Sequence, residues 1–228
     1  MFRSLDPDVW FLDKPFSLFG VELGGRMTVV RLLSKDLLVV SPVKLSGEER
    51  AELDRLGAVR HIVLPNLFHH LHAVDFFRNY PDATLYAPPG IAKKNPDLAR
   101  AQALENTPVE AWTQDLEQHV VQGMPRLAEA VLFHKKSRTL VVTDLLFNFR
   151  QATSLWAKLF LFINGALGGV SATRMLRSLV ADRLAVRRSL QEILKWDFER
   201  MIVAHGDVVR ENAKAQFSAA YAFLLDSK

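Results

Sequence analysis

Short apolar segments alternate with helix-like segments along most of this chain, and this order constrains the fold more than any other feature. Between the second and third predicted strands, Ser46 and Glu49 are spaced as a capping box and Gly57 ends the predicted helix. Strands in pairs with helices between them predict an α/β layered domain. The predicted strands cover residues 27–33, 37–43, 60–66, 83–88, 118–123, 128–135, 138–144 and 200–206.

The length and composition favour one folding unit. The chain has 228 residues, 49% of them hydrophobic, which suffices for a substantial core. It contains no internal repeat, low-complexity segment or linker rich in Pro and Ser. We therefore expect a single domain over residues 1–228, with residues 1–25 as an N-terminal extension.

The absence of cysteine narrows the possible chemistry. Without cysteine there are no disulfides and no thiolate zinc sites, so any metal must be bound by His, Asp, Glu or water. The N-terminus carries acidic residues and no continuous apolar segment, so it is not a secretory signal and a cytoplasmic location is expected. The net charge of +4 is modest, gives no strong nucleic-acid signal and permits a small acidic substrate.

The longest apolar run, 155-LWAKLFLFINGALGGV-170, is interrupted by Lys158 and Asn164 and contains three glycines. A membrane-spanning helix needs about 20 apolar residues, so this run is too short and too broken to be one. Residues 150–170 are expected to form a lid, a core helix or a homodimer contact through residues 155–170. Interfacial contact with a membrane is the less favoured alternative.

Candidate functional residues follow three predicted strands. His69 and His70 come after 62-IVLPN-66, Asp144 closes 140-LVVTD-144, and His205 closes 201-MIVAH-205. Each alone has an ordinary structural explanation, because an Asp after a strand often caps a turn and a His before Gly can hydrogen bond to a loop carbonyl. In α/β sheets, however, ligand sites gather outside the carboxyl ends of the strands. Together these residues predict a site.

The segments VLPNLFHHLH, LVVTDLLFN and IVAHGD resemble the metallo-β-lactamase superfamily of hydrolases and redox enzymes, and within it a branch of domains of unknown function. The resemblance extends roughly from Met27 to Leu225. It implies an α/β fold of the metallo-β-lactamase type: an αββα sandwich with two mixed sheets flanked by helices.

The metal motif of that superfamily is degenerate in this chain. Its main motif is H-x-H-x-D-H after a strand, and alignment by strand ends places Asn66 and Phe68 at the first two histidines. Met124 stands near the position of a third histidine. A phenyl ring cannot bind a metal, and a thioether is a poor ligand for a borderline divalent ion. The resemblance therefore implies that one of two metal positions is lost.

The second metal position retains candidate ligands. The resemblance places Asp144 at the bridging aspartate, His205 at the last histidine, and His69 or His70 near the D-H pair. Neighbouring residues on a helix point about 100° apart, so one of the two histidines, preferably His70, is expected to bind. Asp144 and His70 are the predicted catalytic groups. Asn66 and Asp207 are expected to support the ligands from behind.

This pattern predicts one divalent ion, Zn²⁺ or Fe²⁺, and a small-molecule substrate. The expected activity is hydrolysis of a small ester, thioester, lactone or phosphoester. The alternative is a non-catalytic binding or scaffold protein that kept the fold and lost the metal site. The sequence leaves both hypotheses open.

Overall fold

A computed structural model describes residues 1–226 as strands and helices in alternating layers. The strands are β1 (Arg3–Asp6), β2 (Val9–Lys14), β3 (Ser17–Leu18), β4 (Val21–Glu22), β5 (Gly25–Arg31), β6 (Leu37–Val40), β7 (Val59–Val63), β8 (Thr84–Ala87), β9 (Gln102–Ala103), β10 (Leu116–Val120), β11 (Ala130–His134), β12 (Thr139–Val141), β13 (Phe147–Phe149), β14 (Gly169–Ser171) and β15 (Arg200–Ile202). The α-helices are α1 (Gly47–Leu56), α2 (Ala73–Asn79), α3 (Ile91–Lys94), α4 (Leu155–Ile163), α5 (Arg174–Arg177), α6 (Arg183–Ile193), α7 (Ala213–Ala220) and α8 (Ala222–Leu225).

Two mixed sheets form the centre of the molecule. The larger has the order β1-β2-β5-β6-β7-β8-β9, antiparallel as far as β6 and parallel from β6 onwards. The smaller has the order β10-β11-β12-β15, in which only the β12–β15 pair is parallel. Short ribbons pair β3 with β4 and β13 with β14.

Alternating residues of the strands enter different layers of the core because side chains along a strand point to opposite faces. Val30 and Leu38 of the large sheet meet Leu132 and Val141 of the small sheet in the central layer. The opposite faces of the sheets pack against α1–α3 and against α5–α8, respectively. Both sheets are thus covered on both faces, which explains why their strands are continuous apolar runs. The predicted αββα sandwich with two mixed sheets is confirmed.

The N-terminal residues belong to the sandwich. Residues 1–25 were predicted as an extension, but β1 and β2 are two strands of the large sheet and β2 pairs with β5 along six residues. The apolar residues Val9, Phe11 and Leu12 of β2 are buried, which explains the pairing. Strands β1 and β2 of this segment thus form part of the large sheet.

The segment after β7 does not begin as a helix. Helix α2 covers only Ala73–Asn79, and residues 67–72 form turns. Asn66 Oδ1 accepts hydrogen bonds from the backbone nitrogens of Phe68 and His69, an Asx turn that fixes the start of this segment. In contrast, α1 begins as predicted, with the reciprocal hydrogen bonds of the capping box between Ser46 and Glu49.

Within residues 1–226, none of the helices has the length and apolar content needed to cross a bilayer.

Candidate metal centre

Two of the predicted site residues come together because their strands are parallel neighbours. Strands β12 and β15 pair with Val141 opposite Ile202, so their carboxyl ends meet at one edge of the small sheet. Asp144 and His205 each lie three residues beyond those ends. His69 reaches the same place from the turn that follows β7 in the large sheet. The site therefore lies at the carboxyl ends of β12 and β15 of the small sheet and of β7 of the large sheet.

Asp144 lies between two imidazole rings. His69 Nε2 is 3.2 Å from Asp144 Oδ2, and His205 Nε2 is 3.3 Å from Asp144 Oδ1. The potential ligand atoms of these three residues all lie within 4.8 Å of one another. The side chains of His69, Asp144 and His205 are 12%, 14% and 6% exposed, respectively, so solvent still reaches the group.

The hydrogen bond of His205 to the backbone fixes its tautomer. His205 Nδ1 lies 2.6 Å from the carbonyl oxygen of Gly24, and a carbonyl can only accept, so Nδ1 carries the hydrogen. In a neutral ring the lone pair is then on Nε2 and faces the Asp144 carboxylate. A proton or a cation at Nε2 would favour this contact, and a carbonyl that accepts from the other ring nitrogen is the common arrangement of a histidine that binds a metal.

The first strands of the chain hold the His205 loop in position. Arg26 is buried, and its guanidinium donates to the carbonyl oxygens of Val203 at 2.5 Å and Gly206 at 2.8 Å. Gly206 has φ +89°, and a Cβ there would meet the backbone of Asn148 at 2.1 Å, so only glycine fits after His205. Gly24, in the segment predicted to be an extension, and Arg26 of β5 thus orient one of the candidate ligands.

His69 is oriented from two sides. Its Nδ1 lies 2.6 Å from the hydroxyl of Ser41, which follows β6. Its backbone nitrogen donates to Asn66 Oδ1 at 3.0 Å, which directs the turn after β7 toward Asp144. Both contacts leave Nε2 of His69 directed at the carboxylate.

Asn66 and Glu129 support the group from the interior, and both are fully buried. Asn66 Nδ2 lies 2.9 Å from Glu129 Oε2, 3.0 Å from Thr143 Oγ1 and 2.9 Å from Asp144 Oδ2. Glu129 also accepts from the backbone nitrogens of Thr143, Asp144 and Leu145. These bonds fix the loop that carries Asp144. The support predicted for Asn66 corresponds to these contacts.

The charges of the group shift the pKa values in opposite directions. Burial raises the pKa of Asp144, but the charge of His69 and the hydrogen bonds from His205 and His69 outweigh it and hold that pKa well below its usual range. Burial lowers the pKa of His69, but the charge and hydrogen bond of Asp144 and the charge of Glu129 raise it above the ordinary value. For Glu129, burial and the charge of Asp144 raise the pKa against the hydrogen bonds it accepts.

Two predicted site residues lie outside the group. His70, expected as the ligand in place of His69, is not among the clustered residues, because the turn after Asn66 directs the earlier of the two histidines to Asp144. The structure therefore brings His69 to Asp144, and the preference for His70 as a ligand stays a prediction. Asp207 has an exposed side chain, and its backbone bonds to Asn148. These bonds anchor the loop after His205, whereas no contact joins the carboxylate of Asp207 to the three clustered side chains.

The residues assigned to the lost metal position are not all near the site. Phe68 is 46% exposed and lies under Lys94, and Met124 is buried in the core between the small sheet and its helices. Only Asn66 of that set reaches the group. The interior side of the site is filled by the Asn66 amide and the Glu129 carboxylate.

Glu129 and Ser41 were not predicted as parts of the site. Glu129 precedes the apolar strand 130-AVLFH-134, and a carboxylate beside a strand that is buried throughout was the available signal. Ser41 stands where the superfamily usually has Asp at the end of a strand. Its positive φ of +57° is a feature of the backbone that the sequence did not reveal.

Comparison with solved structures defines the fold class. The chain is similar to a metallo-β-lactamase from Pontibacter korlensis, with 12% identity, a TM-score of 0.64 and coverage of 100% of this chain and 99% of the other. It is similar to the mono-zinc form of FIM-1 from Pseudomonas aeruginosa, with 12% identity, a TM-score of 0.61 and coverage of 99% and 94%. The metal-soaked Flv1 flavodiiron core from Synechocystis sp. PCC6803 matches with 10% identity and a TM-score of 0.67. This chain is covered over 99% of its length in that match but spans 60% of the Flv1 chain. The protein has a metallo-β-lactamase fold.

The family follows from the sequence profile of the domain of unknown function DUF4336, which matches residues 6–161. The chain belongs to the DUF4336 family, as the resemblance to a branch of domains of unknown function implied. No curated protein sequence matches the chain.

Proposed function

We propose that this protein is a metal-dependent hydrolase with one divalent ion, Zn²⁺ or Fe²⁺, bound by His69, Asp144 and His205. The observation that carries the proposal is the convergence of His69 Nε2, the Asp144 carboxylate and His205 Nε2, while the other nitrogen of His205 is held by the carbonyl of Gly24. Two imidazoles and one carboxylate form a ligand set that suits either ion and leaves coordination positions for water and substrate.

The residues around the group suit such a site. Carbonyl and hydroxyl groups hold the outer nitrogens of His205 and His69, which is the usual way in which metal-binding histidines are oriented. The Asn66 amide holds Asp144 Oδ2, and the ring of Phe147 stacks on His205 with centroids 5.2 Å apart, which limits the movement of that ligand. A bound ion would supply Lewis-acid polarisation of a carbonyl or phosphoryl oxygen and acidify a water molecule.

Of the two predicted catalytic groups, Asp144 acts as a ligand of the ion in this proposal. His70 remains a candidate for accepting a proton beside the group. Burial and the nearby charge of Lys94 lower its pKa, so its ring is neutral and able to accept a proton near pH 7. The proposed substrate is a small ester, thioester, lactone or phosphoester.

A non-catalytic binding protein is the second candidate, and one observation favours it. The interior of the site is filled by Asn66 and Glu129, both at 0% exposure, which leaves no room there for a second ion. A protein that lost one metal position in this way could also have lost catalysis while it kept the fold.

An activity screen separates the two candidates. Protein reconstituted with Zn²⁺ or Fe²⁺ would be assayed on chromogenic esters, thioesters, lactones and phosphoesters, beside His205→Ala and the control His119→Ala, whose histidine lies on β10 outside the group. The proposal expects hydrolysis of one class, reduced at least about 100-fold in His205→Ala and unchanged in the control. Hydrolysis of none of the classes by metal-loaded protein would support the binding protein.

A further inference from the structure

Helix α4 has apolar side chains on two different faces. Ala157 and Leu161 are buried against β4 and β13. At 100° per residue, the exposed side chains of the helix occupy one arc of about 120° on another side. They are Leu155 at 86%, Trp156 at 53%, Leu159 at 49%, Phe162 at 72% and Ile163 at 53% exposure.

The tip of the β3–β4 ribbon extends this surface. Phe19 is 69% exposed, its ring lies 6.2 Å from that of Phe160, and its carbonyl oxygen accepts a hydrogen bond from Trp156 Nε1 at 3.1 Å. We call Phe19 and the five exposed residues of α4 the apolar face. A contiguous exposed surface of six large hydrophobic side chains marks an interaction site on a soluble domain.

The segment that contains α4 carries charge of one sign. Residues 145–181 contain no Asp or Glu, although the chain has 25 acidic residues. The same segment contains four cations, Arg150, Lys158, Arg174 and Arg177, all of them exposed. Lys158 lies on the helix beside the apolar arc, and Arg174 donates to the carbonyl oxygen of Ile163 at the end of α4. The apolar face is therefore bordered by positive charge along α4, while Glu22 is an exposed acid on the ribbon that carries Phe19.

We propose that the apolar face docks on the surface of an anionic lipid bilayer, with α4 lying in the plane of the headgroups. A helix that exposes Leu, Phe and Trp beside basic residues is typical of such interfacial binding. Tryptophan is enriched at the level of the headgroups, where its ring is buried and its N–H keeps a polar partner. Each nearby Lys or Arg strengthens binding to an anionic surface.

The charge distribution favours a bilayer over a second copy of the chain. A two-fold contact through α4 would bring the same cations of both copies together, and residues 145–181 offer no carboxylate to neutralise them. An anionic bilayer supplies the missing negative charge. The apolar face contains none of the three candidate ligands, so this proposal does not depend on the hydrolase proposal.

Vesicle sedimentation with the full chain tests the proposal. Wild-type protein would be mixed with vesicles of phosphatidylcholine alone and with vesicles that also contain phosphatidylserine. The double variant Leu159→Ser/Phe162→Ser removes apolar area, and Lys158→Glu reverses a charge. Leu184→Ser, at a position 63% exposed on α6, is the matched control. All four positions are exposed, and thermal unfolding would verify that each variant folds.

We expect wild-type protein to bind the phosphatidylserine vesicles more tightly than the neutral ones, and added salt to weaken that binding. The double variant should bind at least about tenfold more weakly, Lys158→Glu more weakly than wild type, and Leu184→Ser equally well. Binding to neither vesicle, or equal binding by the double variant, would overturn the proposal. A concentration-dependent dimer in sedimentation velocity that the double variant abolishes, without vesicle binding, would assign the face to a homodimer instead.

Discussion

The side-chain nitrogen of Asn66 lies 2.9 Å from Glu129 Oε2 and an equal 2.9 Å from Asp144 Oδ2, so a neutral amide separates two carboxylates. Both Asn66 and Glu129 are fully buried. In this position the amide reduces repulsion between carboxylates that would otherwise share a site of low dielectric constant. This contact explains how the carboxylate of Glu129 can be buried next to that of Asp144.

Removing Glu129 should destabilise the fold. Glu129→Ala leaves the backbone nitrogens of Thr143, Asp144 and Leu145 and the amide of Asn66 without their acceptor. We expect a loss of about 3–5 kcal/mol in the free energy of unfolding, the range for disruption of a buried charged network. Chemical denaturation measures it. The control Glu117→Ala, on the strand β10 with a side chain 49% exposed, should lose less than about 1 kcal/mol. Equal losses in both variants would show that the buried network does not stabilise the loop.

Adjacent histidines should differ in their effect on metal binding. His69 lies 3.2 Å from Asp144, whereas His70 is outside the group. We expect His69→Ala to weaken Zn²⁺ binding at least about 100-fold in isothermal titration, and His70→Ala to change it less than about threefold. The reverse order would show that the turn after Asn66 rearranges on binding and presents His70.

The hydroxyl of Ser41 should affect the affinity without being a ligand. It lies 2.6 Å from His69 Nδ1 and orients that ring. Ser41→Ala should therefore weaken metal binding by about 10–100-fold, the usual effect of removing a partner behind a ligand. The comparison is with Ser137→Ala, since Ser137 makes the equivalent contact at 2.7 Å to His134 away from the site. Unchanged metal affinity in Ser41→Ala would mean that the hydroxyl of Ser41 is not needed to orient the ring of His69.

Much of the fold followed from the sequence because it depends on local patterns. The capping-box spacing of Ser46 and Glu49 predicted the start of α1. The apolar runs that end before Asp144 and His205 predicted two strands whose carboxyl ends meet. The choice of His69 over His70 did not follow, because it depends on the path of the turn after Asn66, where Asn66 Oδ1 accepts from the backbone nitrogen of His69. Glu129 was missed for a related reason. Its partners are backbone nitrogens 14 to 16 positions along the chain, and such contacts have no local pattern.

The stability of metal-free protein should depend on pH through His69. The pKa of His69 is raised above 6.5 in the folded state, so its stabilising interaction with Asp144 is fully present below pH 6.5 and is lost as the pH rises through the folded value. The lowered pKa of Asp144 keeps its own contribution intact over that range, since it is lost only in strong acid. The difference in unfolding free energy between wild type and His69→Gln, measured with a chelator present, should shrink from pH 6 to about pH 9. A difference that is constant or grows with pH would contradict the assigned ion pair.

Metal binding should show the opposite dependence on pH. Binding requires a neutral His69, whose pKa is raised, so protons compete with the ion and the affinity for Zn²⁺ should rise between about pH 6 and pH 8. Titrations in buffers of different ionisation enthalpy measure the protons released. Affinity that is independent of pH, with no proton release, would indicate that the ion is bound elsewhere.

The metal content of purified protein tests the central claim most directly. Elemental mass spectrometry of protein produced with Zn²⁺ and Fe²⁺ in the medium should find about one ion per chain. Asp144→Ala and His205→Ala should carry none, and the control His119→Ala should keep the wild-type content. Wild-type protein that carries neither metal and gains no thermal stability when Zn²⁺ or Fe²⁺ is added would contradict the site formed by His69, Asp144 and His205.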